Sequence, residues 1–334
     1  MLFRSVESLT AQAEQAHFAL VATQIALTAN VAAAAVQEAS LRAQVDATQK
    51  LIALNSRMLK ILRDQYQKGY AGRLDVAAQE TQLAQVTATL PPLLNQLSQQ
   101  RDLLTALSGA FPDTALPETF ELSSLELPKE LPVSLPSKLV EQRPDILQAE
   151  ENLHSASAQI GVAIANRWPT FNLTADVGSD ALVLGQIFTS GSSVWALGAG
   201  VTQPIFDGGI LLHRELAAKA AFDEASEQYR STVLTAFQNV ADSLNALRHD
   251  ADSLKAASAA ADAAAVTLDI AQHQAARGYI NGLVLLNAEQ AYQQTRIALV
   301  QAQASRFSDT VALFAALGGG WWNAPSMETQ AKND

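Results

Sequence analysis

The heptapeptide Arg277-Gly278-Tyr279-Ile280-Asn281-Gly282-Leu283 separates two long Ala-rich helical patterns, and a related heptapeptide, Lys68-Gly69-Tyr70-Ala71-Gly72-Arg73-Leu74, does the same earlier in the chain. Each returning pattern ends in a Leu-x-Gly sequence, at Leu107-Ser108-Gly109 and at Leu317-Gly318-Gly319. A glycine at the point of reversal is typical of a helix that ends and turns back. The two copies lie about 200 residues apart, so the repeated unit is an antiparallel helical hairpin rather than a short solenoid module.

The chain before the first reversal predicts one nearly unbroken helix from Ser5 to Gln67, because that span contains neither Pro nor Gly. Such a helix is about 90 Å long at 1.5 Å per residue. The returning arm has the 4,3 apolar spacing of a coiled-coil partner, at Leu83, Val86, Leu90, Leu93, Leu97, Leu104 and Leu107. The spacing continues past Pro91 and Pro92, which favours a kinked helix over two separate helices.

Changes in periodicity and proline content divide the chain. We predict a first helical-hairpin repeat at 1–109, a Pro-rich linker at 110–136, a second repeat at 137–322 and a disordered polar tail at 323–334. Within the second repeat the pattern predicts a helix over 139–166, strands over 168–178 and 193–206, and helices over 207–277 and 283–317. The predicted fold class is therefore mainly α, with long antiparallel helical hairpins and one β-hairpin.

The two predicted strands alternate apolar residues with small or polar ones. The residues predicted to face lipid are the large apolar ones on one side of each strand, Phe171, Leu173, Trp195, Leu197 and Val201. Each strand reaches the roughly 9–11 residues that a tilted transmembrane strand needs. Alternation alone leaves two interpretations open: a strand pair with lipid on one side and a wet lumen on the other, or an ordinary hairpin on a soluble core.

Composition excludes several classes of function. The chain has 334 residues, 49% hydrophobic residues and a net charge of −11, so it can bury a large core but has no basic surface for nucleic acid. Cysteine is absent, which excludes disulfides, thiolate nucleophiles and Cys-ligated metals. We find no signal peptide and no run of about 18 apolar residues of the kind that forms a membrane-spanning helix.

No catalytic, cofactor-binding or metal-binding constellation is recognisable, and we do not expect an enzyme. The five histidines have none of the spacings of metal sites. His249-Asp250-x-Asp252 could bind a cation, but a solvated charge cluster is the commoner meaning of such a pattern. The glycines at 318–320 lack the Lys-Ser/Thr of a phosphate loop and are typical of a helix stop.

Three stretches resemble one family, the TolC-like outer-membrane efflux ducts, and within it the OprM/NodT lipoprotein branch that serves resistance-nodulation-division pumps. The similar stretches run from Leu135 through Arg143-Pro144-Asp145-Ile146, from Trp195 to Gly209, and from Ala316 to Trp321. The resemblance implies a homotrimeric duct in the outer membrane with a periplasmic helical tunnel. It also implies a periplasmic adaptor and an inner-membrane pump as partners, and passive export without a reaction.

Family members have a lipoprotein signal, a lipidated Cys, two helices and two strands before the position that corresponds to Met1. The resemblance therefore implies an N-terminally truncated member. Two strands per chain would give six per trimer, fewer than the eight of the smallest barrels. The alternatives are a soluble coiled-coil scaffold or adaptor subunit, and a non-functional truncated paralogue.

The resemblance also implies two kinds of site. The tips that would dock the adaptor are Gly69, Tyr70, Ala71, Gly278, Tyr279 and Ile280. The gate across the lumen would consist of Leu283 and Asn287, with Leu74, Asp75 and Glu80 from the first repeat. Asn287 stands where the family has an acidic residue, so an amide replaces a carboxylate. The alternatives are a merely structural turn at the tips and a solvated helix face at the gate.

Overall fold

The computed structural model describes residues 2–111, 119–127, 142–180, 183–188, 190 and 193–319. These ranges contain five long helices and one pair of strands. In chain order they are α1 (Leu2–Gln67), α2 (Arg73–Leu107), α3 (Pro144–Ala165), β1 (Thr170–Ser179), β2 (Ser193–Thr202), α4 (Ile210–Ala276) and α5 (Gly282–Ala316). Short 3-10 turns occur at Leu122–Ser124 and Leu184–Gln186.

The long helices α1 and α4 end at the two predicted reversals, in the same way. Gly69 has a φ of 78° and donates its N–H to the Tyr66 carbonyl at 3.0 Å, while Tyr70 donates to the Gln65 carbonyl at 2.8 Å. Gly278 and Tyr279 make the equivalent bonds to Ala275 and Gln274. A positive φ at this position costs glycine little, and the pair of bonds satisfies carbonyls that the ending helix leaves free.

The returning helices begin with different caps. In the first hairpin the Gly72 N–H donates to Asp75 Oδ2 at 2.9 Å. In the second, Asn281 Oδ1 accepts the Val284 N–H at 3.0 Å. Each side chain satisfies a backbone donor at a helix start, where the first N–H groups have no partner within the helix.

Helix α2 continues through Pro91 and Pro92, so the prediction of one helix rather than two is confirmed. Other bounds differ from the predicted ones. The helix predicted over 139–166 begins at Pro144, since proline is favoured in the first helical position. Residues 139–141, most of the linker and the tail at 323–334 lie outside the described residues.

Both strands are shorter than predicted at the ends that lead to helices α3 and α4. β1 begins at Thr170 rather than 168, directly after Pro169, and β2 ends at Thr202 rather than 206, before Gln203-Pro204. Proline has no N–H to donate to a sheet. The paired part of β1 therefore begins after Pro169, and that of β2 ends before Pro204. Helix α4 begins at Ile210 rather than 207, after the turn at Gly208 and Gly209.

The described residues form two compact units, each built from separated parts of the chain. The first comprises Met1–Leu20 and Pro144–Thr235, and the second Val21–Arg143 and Ala236–Asp334. In the first, Ser8 and Ser155 are hydrogen-bonded at 3.0 Å, and Gln159 Nε2 donates to Ser8 Oγ at 2.7 Å. The second unit has an apolar core formed by Val240, Leu247, Leu313, Ala316 and Leu317.

Candidate functional site

The strand pair has one apolar face and one face of small and polar residues. β1 and β2 pair antiparallel, with Phe171 opposite Val201, Leu173 opposite Ala199, Ala175 opposite Leu197 and Val177 opposite Trp195. Directly opposed residues of an antiparallel pair lie on the same face. The register therefore brings all five residues predicted to face lipid onto one side of the hairpin.

The opposite face carries Asn172, Thr174 and Asp176 on β1 across from Gly200, Gly198 and Ala196 on β2. Every residue of both strands is exposed in the single chain. Two strands with uncovered faces and open edges are not stable alone in water or in lipid, because their outward N–H and C=O groups lack partners. The hairpin is therefore built to pair with further strands.

A charged cluster joins the base of the strand pair to helix α4. Glu215 accepts from Lys219 Nζ at 2.8 Å and from Arg167 Nη1 at 2.5 Å. The hydrogen bond from Lys219 and, less strongly, the one from Arg167 hold the pKa of Glu215 below its ordinary value. Gln203 Nε2 donates to the Arg167 carbonyl at 3.1 Å, so the cluster connects both ends of the hairpin to the helix.

Asp207 caps the start of α4. Its Oδ2 accepts the Leu211 N–H at 2.8 Å and its Oδ1 accepts the Gly209 N–H at 2.9 Å. The hydrogen bond from Leu211 and, less strongly, the one from Gly209 lower the pKa of Asp207. A carboxylate is favourable here because the first turn of a helix carries partial positive charge.

The two predicted tips present exposed tyrosines. The side chains of Tyr70 and Tyr279 are 82% and 76% exposed, whereas Ala71 and Ile280 are half-buried. A Cβ placed on Gly282 would lie 3.8 Å from Ile61 Cδ1, so the start of α5 lies against the last turns of α1. The two reversals are thus held near each other within the second unit.

The predicted gate residues on α5 differ in exposure. Leu283 is half-buried and Asn287 is exposed, while Leu286 and Ala288 are buried. Leu74, at the matching position of the first hairpin, is 81% exposed. Leu283 thus borders the packed face of α5, and Asn287 projects from the helix on its open side.

The two acidic residues predicted at the gate in the first hairpin, Asp75 and Glu80, have partners that the sequence did not indicate. Asp75, the third residue of α2, accepts the N–H of the N-cap residue Gly72. Glu80 forms an ion pair with Arg63 of α1, with 2.6 Å between Glu80 Oε1 and Arg63 Nη2. Arg63 lies 17 positions earlier in the chain, and no local motif links the two residues.

Sequence reasoning missed a buried amide pair between α1 and α2. Gln79 Nε2 donates to Asn55 Oδ1 at 2.9 Å, and Asn55 Nδ2 donates to the Leu51 carbonyl at 2.9 Å. Asn55 is completely buried. A polar residue within an apolar seam is the signal that could have identified it, since a buried amide needs partners.

The Arg143-Pro144-Asp145 motif has a structural explanation. Arg143 is buried and donates from Nη1 to the Ala316 carbonyl at 2.6 Å. Ala316 is the last residue of α5, where free carbonyls and the helix dipole favour a cation. Arg143 therefore fastens the beginning of the second repeat to the end of its last helix.

Metal-ligand clusters and apolar helical segments also bear on function. Among the described residues, no group of three or more His, Cys, Asp and Glu side chains could hold a metal ion. Within Phe3–Gln67, α1 contains a segment long and apolar enough by composition to cross a membrane, of which 17% is buried. The sequence predicts no such segment, because Thr, Gln and Asn interrupt its apolar residues. Its many alanines nevertheless raise the mean hydropathy of the segment.

Comparison with known proteins gives consistent results. The profile of the family described as OEP, outer membrane efflux protein, matches residues 135–319. The probable efflux pump outer membrane protein TtgC of Pseudomonas putida is 30% identical over 333 residues, which cover 98% of this chain and 69% of the relative. The outer membrane protein OprJ of Pseudomonas aeruginosa is 32% identical over 336 residues, again 98% of this chain and 69% of the relative.

A solved structure shares the fold. The crystal structure of the outer membrane protein VceC from Vibrio cholerae superposes with a TM-score of 0.77 at 28% sequence identity. The match covers 95% of this chain and 76% of that one. The likeness thus extends over both helical hairpins and the strand pair.

Proposed function

Because the chain belongs to the outer membrane efflux protein family, we propose that it is a subunit of a trimeric outer-membrane exit duct, through which a tripartite efflux system passively exports small molecules. The single observation that carries the proposal is the strand pair joined to long helical hairpins. One apolar and one polar face suit strands that separate lipid from a wet lumen. A soluble coiled-coil scaffold has no need of such a hairpin.

Exposed apolar residues on the helices support assembly with further copies. Leu20, Leu27 and Val31 follow one another at helical spacing on α1, and all three are at least 36% exposed. They lie in a segment without charge from Phe18 to Gln37. Neighbouring copies in a barrel of helices would cover this stripe, just as neighbouring strands would complete the sheet.

The proposed partners are a periplasmic adaptor and an inner-membrane resistance-nodulation-division pump. The exposed Tyr70 and Tyr279 support docking of the adaptor at the helix reversals. The proposed docking tips also include Gly69, Ala71, Gly278 and Ile280. The duct supplies no reaction of its own, and transport is driven by the pump. The lipid-facing residues are those of the apolar face, namely Phe171, Leu173, Trp195, Leu197 and Val201.

We place the gate at the start of the returning helices. Leu283 would form the apolar constriction, and Asn287 would hold it by neutral hydrogen bonds. Glu80 is paired with Arg63, so its charge is largely compensated. Asp75 therefore supplies most of the negative charge around the pore. Three amides in place of three carboxylates remove the mutual repulsion that would otherwise favour opening.

A chimera tests the function directly. This chain would replace the aligned segment of OprJ, and the chimera would be produced in Pseudomonas aeruginosa that lacks OprJ. We expect trimers in the outer membrane and restored efflux of a fluorescent dye. A matched chimera with Asp at Leu197 should fail to assemble. Correctly assembled trimers that leave dye efflux at the level of the deletion strain would contradict the proposal.

A further inference from the structure

A polar cleft of ≈ 440 Å³ lies among helices α1, α2, α4 and α5 in the second unit. It interrupts packing that is otherwise dominated by Ala and Leu. Most of its lining side chains are neutral and polar, namely Gln37, Ser40, Gln44, Gln96, Gln301, Ser305 and Ser308. The acidic lining residues are Asp250 of α4 and Asp309 of α5.

One oxygen in this cleft lacks a partner. Asp250 Oδ2 is buried and has no hydrogen-bond donor within reach, although amides and hydroxyls surround the cleft. The carboxyl group beside it belongs to Asp309. Two ionised carboxylates cannot donate to each other, and a buried acceptor without a donor is costly. A proton on one of the two groups removes both difficulties.

We propose that Asp250 and Asp309 share one proton and thereby form a pH-sensitive joint between α4 and α5. With the proton present, the O–H of one carboxyl donates to an oxygen of the other, and the pair carries one negative charge. Without it, the pair carries two negative charges in a partly desolvated cleft, which repel each other. The joint is therefore tight when protonated and weakened when fully ionised.

The charges that face the pair agree with this assignment. Burial first, and then the neighbouring Asp309 carboxyl group, raise the pKa of Asp250 to about 6, while Arg306 and His249 lower it. Arg306 belongs to α5 and His249 to α4. The residues of α1 and α2 that line the cleft are uncharged, so these helices offer no counter-ion to the second negative charge.

The raised pKa determines the direction of the pH dependence. The folded protein holds this proton up to about pH 6, whereas an unfolded chain releases it near the ordinary value of 3.8. The contribution to stability is therefore complete below that ordinary value, and it is lost as the pH rises through about 6. The packing of α4 against α5 is therefore firmer in acid than at neutral pH.

The proton-sharing pair does not depend on the proposed export function, and its test measures protonation and stability alone. Asp250→Asn replaces the shared proton with an amide N–H, which can donate to Asp309 at every pH. We expect the Tm of the purified variant of this chain to exceed that of the wild type, by about 2–4 °C more at about pH 7.5 than at about pH 5. Thermal unfolding followed by circular dichroism of the helices would measure the Tm at both pH values.

Asp309→Asn should behave in the same way, and Asp252→Asn is the matched control. Asp252 lies two residues from Asp250 on α4, is exposed, and does not line the cleft. Infrared spectra should also show a protonated-carboxyl band in the wild type at about pH 5 that is lost by about pH 7.5 and is missing from Asp250→Asn. The proposal is overturned if that band is equal in wild type and variant, or if Asp250→Asn and Asp252→Asn have the same pH profile. The wild-type spectrum and Asp309→Asn decide the matter even if Asp250→Asn does not fold.

Discussion

At the scale of single residues, Asn287 and Leu283 have separable effects on conduction. Leu283→Ala should raise the single-channel conductance of the OprJ chimera in planar bilayers, because a smaller side chain widens an apolar constriction. Val284→Ala is the matched control, since Val284 is the next residue on α5 and is exposed. Conductance that is unchanged in Leu283→Ala would place the gate elsewhere.

Asn287→Asp tests the neutral character of the gate. Three carboxylates around a narrow pore can coordinate a divalent cation, whereas three amides bind one much more weakly. Addition of Ca²⁺ should therefore block the Asn287→Asp duct and leave the parent duct conducting. A parent duct that is blocked as strongly as the variant would show that other carboxylates, with Asp75 the first to consider, dominate the pore.

The two faces of the strand pair should respond differently to charge. An Asp at Leu197 places a carboxylate in lipid, at a cost below the roughly 2–4 kcal/mol measured for Arg or Lys at the bilayer midplane. Gly198 is a poor control, because a Cβ there would lie 3.0 Å from Thr174 Oγ1. Gly200 faces the same side and has open space around it, so Gly200→Asp is the better comparison.

We expect Leu197→Asp to reduce the yield of outer-membrane trimers of the chimera and Gly200→Asp to reduce it much less. Gel electrophoresis of unheated membrane extracts would measure the trimer fraction. Equal trimer yields for the two variants would refute the assignment of the apolar face to lipid.

At the scale of elements, the buried amide pair sets how α2 lies on α1. Asn55→Ala removes the Oδ1 that accepts from Gln79 Nε2 at 2.9 Å and leaves Gln79 only the longer, 3.3 Å bond to the backbone carbonyl at position 55. This loss should lower the free energy of unfolding by about 1–3 kcal/mol. Urea unfolding followed by circular dichroism would measure the change. Asn95→Ala, on the exposed side of α2, is the control and should have almost no effect.

The pair should also show strong coupling. If Asn55 and Gln79 stabilise the hairpin through each other, the double variant Asn55→Ala, Gln79→Ala loses less than the sum of the two single variants. Strict additivity would mean that each amide acts independently and that the pair does not define the register of the hairpin.

At the scale of the whole molecule, the tips should meet the adaptor. The chain contains no cysteine, so Ala71→Cys and Ile280→Cys each introduce a unique thiol. In cells that produce the chimera, bifunctional reagents should link both variants to the adaptor, with a yield well above that of Ala256→Cys. Ala256 is exposed on α4 and lies about 30 Å from the tip at 1.5 Å per residue. Reactive tip thiols that never form an adaptor adduct would count against docking.

Local features were readable from the sequence alone. Helix lengths followed from the absence of Pro and Gly between Ser5 and Gln67, reversals from Gly69 and Gly278, and strand faces from the alternation around Phe171 and Trp195. These features depend on backbone conformation and on periodicities of 3.6 and 2, which neighbouring residues determine. The family motifs at Arg143 and Pro204 extended that information to the assembly.

Tertiary structure decided which side chains meet. Glu80 with Arg63, Asn55 with Gln79 and Asp250 with Asp309 are separated by 17, 24 and 59 positions. Each pair depends on how one helix is rotated and shifted against another, and single-residue periodicity carries no information about that arrangement. The sequence showed Asp250 only as part of a charge cluster on its own helix. Its place beside Asp309 in a partly desolvated cleft, and hence its affinity for a proton, exists only where α4 and α5 pack together.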